Sequence, residues 1–264
     1  MPDAPQRNVD PAPVTTPRPS QTPRPSENET SRDTVTPVVT FVIPAYNEGR
    51  FLKEVIDRVY ELPLQTRIVA VDDGSTDETW EIMNAYRDTP GFRCFKQQVN
   101  QGKGAAIRAA MPHCDGDIVL IQDADMEYDP ADVTRLIQPI VDGRADVVYG
   151  SRLSSGQPQR AYMFWHMVGN KFLALLTNIL YNTTLSDMET GYKVFSGEVF
   201  RGLSLRSSDF RIEAEITAKI LKQKVRLFQV PVAYYGRSYE EGKKITWRDG
   251  FPAVWTLFRY RVSN

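Results

Sequence analysis

Apolar and polar positions follow two alternating periods along this chain. Residues 38–43 (Val-Val-Thr-Phe-Val-Ile) form a near-continuous apolar run, the pattern of a strand covered on both faces. A helical stripe follows over about 50–61, with Phe51, Leu52, Val55, Ile56 and Val59 on one side. The succession then repeats. Residues 66–71 read as a strand, followed by a helix to about 88 that Ser75 or Thr76 can cap. A short strand near 92–97 precedes a helix over about 103–113. Residues 118–122 form the next buried strand, then come a helix over about 130–141 and a strand from Asp146. Such alternation predicts an α/β fold with a parallel, twisted, doubly wound sheet. Ligands of these sheets bind beyond the carboxyl ends of the strands.

The second half has a different texture. A long helix rich in bulky apolar residues spans about 162–181, interrupted by His166, Asn170, Lys171 and Asn178. It suits either a core or a place at a membrane interface or acceptor groove. A polar turn, Asp187-Met188-Glu189-Thr190-Gly191, leads into a strand at 192–195. Residues 212–222 read as a helix with Glu213 and Glu215 in its first turn, and 225–232 as a strand. A charged, glycine-bounded loop over 235–244 has the look of a segment that closes over substrate. An amphipathic helix over 245–261 then alternates Trp247, Phe251, Trp255, Phe258 and Tyr260 with Arg248, Arg259 and Arg261, a mixture suited to a membrane surface.

Composition narrows the classes. The chain has 264 residues, 41% hydrophobic and 25% charged, which fits a globular protein. A net charge of -1 gives no sign of a nucleic-acid partner. Two histidines and two cysteines, Cys94 and Cys114, form no metal-ligand pattern, and reduced, partly buried thiols are the simpler reading. Half of the 18 prolines fall in the first 37 residues, so 1–36 is expected to be a disordered Pro-rich tail. No signal-peptide pattern and no stretch long enough to span a bilayer are expected.

The candidate chemistry lies at the strand ends. Asp123-Ala124-Asp125 ends the strand at 118–122, and Glu127 follows as a further oxygen donor. Alone, such a pair reads more readily as a solvated acidic turn that also caps the helix after Pro130. Carboxylates spaced this way also suit a hard divalent cation shared with phosphates. Pro44-Ala45-Tyr46-Asn47-Glu48, Asp72-Asp73 and Gly150-Ser151-Arg152 end other strands and would share that edge.

Taken together, Val42-Ile43-Pro44-Ala45-Tyr46-Asn47-Glu48, Val71-Asp72-Asp73-Gly74-Ser75-Thr76-Asp77, Asn100-Gln101-Gly102-Lys103-Gly104 and Asp123-Ala124-Asp125 resemble the family 2 glycosyltransferases. The resemblance is strongest to the dolichyl-phosphate mannose synthase and polyprenyl-phosphate glycosyltransferase branch. It implies a GT-A domain over 37–264: a Rossmann-like, mostly parallel sheet flanked by helices, with C-terminal amphipathic helices. Residues 37–150 would be the nucleotide-sugar-binding half and 151–264 the acceptor half. Pro44, Tyr46, Glu48 and Asp73 would hold base and ribose, with Asp123 and Ala124 beside ribose and sugar. Asp125 would bind Mg2+ or Mn2+, with Glu127 where relatives often carry Gln. Arg152, Arg237 and Lys243 would meet the diphosphate or acceptor phosphate, and Asp187 would lie near the reaction centre. Glu215 is a further carry-over, with Glu213 a competing register.

The implied activity is an inverting hexose transfer from GDP-mannose or UDP-glucose to a polyprenyl or dolichyl phosphate. The implied place is the cytoplasm, or the inner face of the membrane as a peripheral protein. A hydroxyl acceptor, with Asp187 as base, and a non-catalytic nucleotide-sugar-binding protein are the competing expectations.

Overall fold

The computed structural model describes residues 36–154, 156–158, 160, 164–237 and 250–263. The expected tail, Lys243 and Lys244, and most of the charged loop lie outside the described residues. The order is β1 (Val38–Ala45), α1 (Gly49–Tyr60), β2 (Gln65–Asp72), α2 (Thr79–Ala85), β3 (Phe92–Lys96), α3 (Lys103–Ala110), β4 (Ile118–Ile121), α4 (Val133–Val141) and β5 (Val147–Ser151). There follow α5 (Phe164–Tyr181), β6 (Lys193–Ser196), α6 (Gly197–Gly202), α7 (Ile212–Gln223), β7 (Leu227–Pro231) and α8 (Gly250–Val262).

The strands form one sheet in the order β3-β2-β1-β4-β6-β5-β7. All run in one direction except β6, which is antiparallel to both β4 and β5. The sheet is mostly parallel, as the resemblance implies, and β6 is its reversed strand: a strand of the second half is wedged between two of the first. β1 and β4 are covered on both faces. Phe41, Ile43 and Leu120 enter one core layer with α1 and α4, while Val42, Val119 and Ile121 enter the other with α3 and α7. The continuous apolar runs follow from this double coverage.

Several local expectations change. Ser75 and Thr76 do not cap α2. Its N-cap is Glu78, which makes no side-chain cap, while Asp77 just before it accepts from Thr79 N through Oδ1 at 3.0 Å. Cys94 and Cys114 are free thiols, and burial pushes Cys114 up to about 12. α5 is not a core helix. Leu173, Ala174 and Thr177 are buried, whereas Phe164, Trp165, Phe172, Leu175 and Ile179 are exposed. α8 packs beside it, with Tyr181 Oη donating to Leu257 O at 2.8 Å and Arg261 Nε to Leu180 O at 2.8 Å. Phe251, Trp255 and Phe258 are exposed as well. Among the described residues, no helix is long and apolar enough to cross a membrane.

Candidate active site

The polar clusters converge at the carboxyl ends of β1, β2, β4 and β5. After β1, Asn47 takes a left-handed backbone (φ 50) and its side chain accepts from Thr76 N at 2.9 Å, tying this turn to the one after β2. Glu48 follows, 7% exposed, with its backbone N–H donating to Thr79 Oγ1. Pro44 and Tyr46 are half-buried on the same turn.

Asp73 is 3% exposed, and burial holds its carboxyl above the usual range. Its two oxygens accept from Gln101 N at 2.8 Å and Gly102 N at 2.7 Å. Asp73 thus orders the glycine-rich turn. Gly102 has φ 99, and a Cβ there would come within 2.6 Å of Ser208 O, so only glycine fits.

At the end of β4, Met126 adopts a left-handed backbone (φ 58), which turns the chain so that Glu127 N donates to Asp125 Oδ1 at 3.2 Å. Ala124 is buried. Arg237, from beyond β7, closes the cluster. Its Nη2 donates to Asp125 Oδ2 at 2.7 Å and its Nη1 to Glu48 Oε2 at 3.2 Å. Its backbone N donates to Glu127 Oε1 at 2.8 Å, while Tyr234 Oη donates to Glu127 Oε2 at 2.7 Å. One guanidinium thus sits among three carboxylates. Burial, then Asp123 and Glu127, push the Asp125 carboxyl up to about 7 against the pull of Arg237. Such crowding makes the position one where a cation is strongly favoured.

The donor set is all oxygen, which suits Mg2+ or Mn2+. Among the described residues no three metal-type side chains converge as a complete cage. Asp125 and Glu127 can offer oxygens to a cation that takes its other ligands from phosphate or water, the usual habit of Mg2+.

Arg152 and Asp187 face each other. Arg152 Nε and Nη2 donate to Asp187 at 2.7 and 2.8 Å, and Arg152 N adds a third bond at 3.1 Å. Asp187 is fully buried. The arginine expected to meet phosphate and the acid expected near the reaction centre are thus bound to each other. Arg152 also lies over the Tyr234 ring at 5.1 Å, linking this pair to Glu127.

The first turn of α7 resolves the two registers. Glu213 points toward the Asp123 end of β4, where Lys103 meets both carboxylates. Glu215 turns away and accepts from Arg206 N, Ser207 N and Lys219. Tyr234, Lys103 and Lys193 were not expected at the site. Lys103 carried a signal in its Gly-Lys-Gly setting; Lys193, inside a short strand, carried none.

Glu189 also lies here, with Oε1 buried and unpartnered. Burial, then Glu213, push its carboxyl from 4.5 up to about 7. Between those values the folded chain holds a proton that the unfolded chain has released, so stability falls as pH rises through this window and stays down above it. Glu189→Gln is therefore expected to raise the thermal midpoint more at pH 8 than at pH 5. Equal shifts at the two pH values would show that Glu189 titrates normally.

A carboxylate-rich strand-end site over a sheet with one reversed strand defines a GT-A fold. The chain belongs to glycosyl transferase family 2, whose family model matches residues 40–203, and it is a glycosyltransferase. It is 30% identical over 228 residues to glycosyltransferase AglJ of Haloferax volcanii, covering 86% of this chain and 73% of the relative. It is 26% identical to the UDP-N-acetylglucosamine–dolichyl-phosphate N-acetylglucosaminyltransferase of Methanococcus voltae, over 86% of this chain and 97% of that one. It is 28% identical to the dolichol-phosphate mannosyltransferase of Pyrococcus furiosus, over 78% of this chain and 58% of the relative. Among solved structures, glucosyl-3-phosphoglycerate synthase from Mycobacterium tuberculosis, in complex with Mn2+, UDP-glucose and phosphoglyceric acid, superposes with a TM-score of 0.64 at 22% identity. The match covers 86% of this chain and 80% of that one, and at this identity it establishes the fold.

Proposed function

We propose that this glycosyltransferase moves a hexose from a nucleotide sugar, GDP-mannose or UDP-glucose, to a polyprenyl or dolichyl phosphate, with inversion at the anomeric carbon. One observation carries the reading: Glu48, Asp125 and Glu127 gather around Arg237 at the carboxyl edge of the sheet. That grouping supports the reading, because a diphosphate calls for acidic metal ligands and a nearby cation together.

Asp125 and Glu127 would hold Mg2+ or Mn2+, which when bound supplies positive charge for the departing diphosphate. Pro44, Tyr46 and Glu48 would border the base and ribose, with Asp73 acting through the glycine-rich turn. Asp123 and Ala124 would border the ribose and sugar. Arg237 would follow the charge that develops on the leaving phosphate. Lys243 would join it, though it lies outside the described residues.

The acceptor class draws on chemistry as well as likeness. A hydroxyl acceptor needs a positioned base, and Asp187 is buried and committed to Arg152. A phosphate monoester needs none, since its second pKa of about 6 leaves it largely dianionic at neutral pH. Two of the relatives above carry dolichyl or dolichol phosphate in their names.

The decisive experiment offers polyprenyl phosphate with either donor, with and without Mn2+, and scores sugar in the lipid extract. Incorporation only into a water-soluble hydroxyl acceptor would overturn the reading. Arg237→Ala is expected to lower turnover by about a hundredfold, the scale of one electrostatic stabiliser. Its thermal midpoint should fall too, because Glu48, Asp125 and Glu127 lose their shared cation, so turnover is compared where the variant is folded, and unchanged kinetics would remove Arg237 from the site.

The paired exposed faces of α5 and α8 fit a peripheral seat on the cytoplasmic face of a membrane, with Arg259 and Arg261 near lipid headgroups. Replacing Trp165 and Trp255, 78% and 67% exposed, by serine is expected to cut cosedimentation with phosphatidylglycerol vesicles several-fold. Unchanged sedimentation would separate this face from the membrane.

A further inference from the structure

A row of buried charges runs from the site into the second half of the chain. Lys103, the first residue of α3 and 12% exposed, places Nζ 2.7 Å from Asp123 Oδ1 and 2.8 Å from Glu213 Oε1. The other oxygen of Glu213 accepts from Lys193 Nζ, and Lys193, fully buried, also donates to Thr190 O at 2.6 Å. The order Asp123–Lys103–Glu213–Lys193 alternates in sign and sums to zero. It joins the end of β4 to α3, α7 and β6. Burial alone would raise Glu213, yet the two lysines hold it below the usual carboxylate range.

The backbone fixes this row. Ala105 N donates to Ser208 O at 2.9 Å, and the φ 99 turn at Gly102 lies against the same carbonyl. The start of α3 is thereby seated on the loop that leads into α7. On its far side Asp123 has a second constraint: a Cβ at Gly191 would run into its Oδ2. The carboxylate is held by Lys103 at one oxygen and confined by Gly191 at the other.

The two aspartates of the Asp-x-Asp pair are therefore neutralised from opposite directions. Asp125 shares Arg237 with Glu48 and Glu127, whereas Asp123 has its own lysine inside the fold. With its charge balanced, Asp123 needs no metal and keeps lone pairs for hydroxyl donors. We propose that Lys103 and Glu213 are positioning residues that orient Asp123 to accept hydrogen bonds from the donor's hydroxyl groups. The inference rests on the nucleotide-sugar reading above. It adds two residues to the donor site, one of them from the acceptor half.

A double-mutant cycle tests it by calorimetric titration of the full chain with UDP-glucose and with GDP-mannose in EDTA. Lys103→Met and Asp123→Asn are each expected to weaken binding of the accepted donor by about tenfold. The double variant should bind no more weakly than either single one, because both changes remove the same interaction. Glu213→Gln should weaken binding by about threefold, and by nothing further when Asp123→Asn is present. Multiplying losses, about a hundredfold in the double variant, would show that Lys103 acts on the ligand independently and would overturn the relay. So would an Asp123→Asn variant that binds normally. If Lys103→Met does not fold, Lys103→Gln, which removes the charge but keeps a polar side chain, completes the same cycle with Asp123→Asn. Wild-type chain that binds neither nucleotide sugar would overturn the donor reading and this inference together. Wild-type binding with multiplying losses would overturn the relay alone.

Discussion

Replacing Asp125 with alanine is expected to abolish sugar transfer, by about a thousandfold or more, while leaving the fold intact. Asp125 stands at the centre of the acidic group: Asp123 and Glu127 flank it, and Arg237 spans it and Glu48. Its carboxyl is pushed up to about 7 by burial and then by those neighbours, so keeping it ionised costs the unliganded fold stability. Removing it relieves that repulsion, and Glu48 and Glu127 still hold Arg237. The thermal midpoint should stay level or rise as activity disappears. Binding of the nucleotide sugar in EDTA should survive, because Pro44, Tyr46, Glu48 and Asp73 lie on other turns and Asp123 keeps Lys103 and Gly191 around its carboxylate. A transfer assay across a Mn2+ titration checks this directly, and near-normal turnover would sink the metal assignment.

Asp187→Asn should act in the opposite way, chiefly on stability. Asp187 is fully buried and accepts three bonds from Arg152, whose side chain is 13% exposed. An asparagine fills the same space but cannot balance the guanidinium. Breaking one side of a buried pair costs about 3–5 kcal/mol. For a domain of this size that corresponds to a fall of roughly 6–20 °C in thermal midpoint. Activity should fall as well, since Arg152 stacks on Tyr234 and Tyr234 holds Glu127. The measurement also separates two roles for Asp187. A base would lose turnover with an unchanged midpoint; an anchor loses both.

The parallel part of the sheet was readable because its strands are buried on both faces, which writes them as unbroken apolar runs before polar turns. The grouping of Glu48, Asp73 and Asp125 at one edge followed from that reading. The direction of β6 did not. Four residues, Lys193-Val194-Phe195-Ser196, carry no sign of whether they run with or against a neighbour, and the polar turn before β6 is compatible with either. α6, only six residues long, has too few positions to show a period. The register of α7 was hidden for another reason. Every residue from Ile212 to Ala218 is buried, so no exposed face marks its phase, and Glu213 and Glu215 looked alike. Arg237 was expected near phosphate from its loop, yet its partners Glu48 and Asp125 lie 189 and 112 positions away. Lys193 was invisible as a site residue because a lysine inside a strand normally reports solvent, and only the tertiary pairing with Glu213 makes its burial tolerable.

The reversed strand β6 has a consequence for how the chain reaches its folded form. Val119 of β4 pairs with Phe195, and Val147 of β5 pairs with the same residue from the other side. As the chain is synthesised, β1, β2, β3 and β4 can assemble early, but the outer edge of β4 must wait for about 70 further residues before its partner exists. Until then a fully apolar strand presents unpaired amides and carbonyls to the surroundings. Completion of the sheet is thus a late, long-range closure, and the nascent chain is most exposed to aggregation between the emergence of β4 and the arrival of β6.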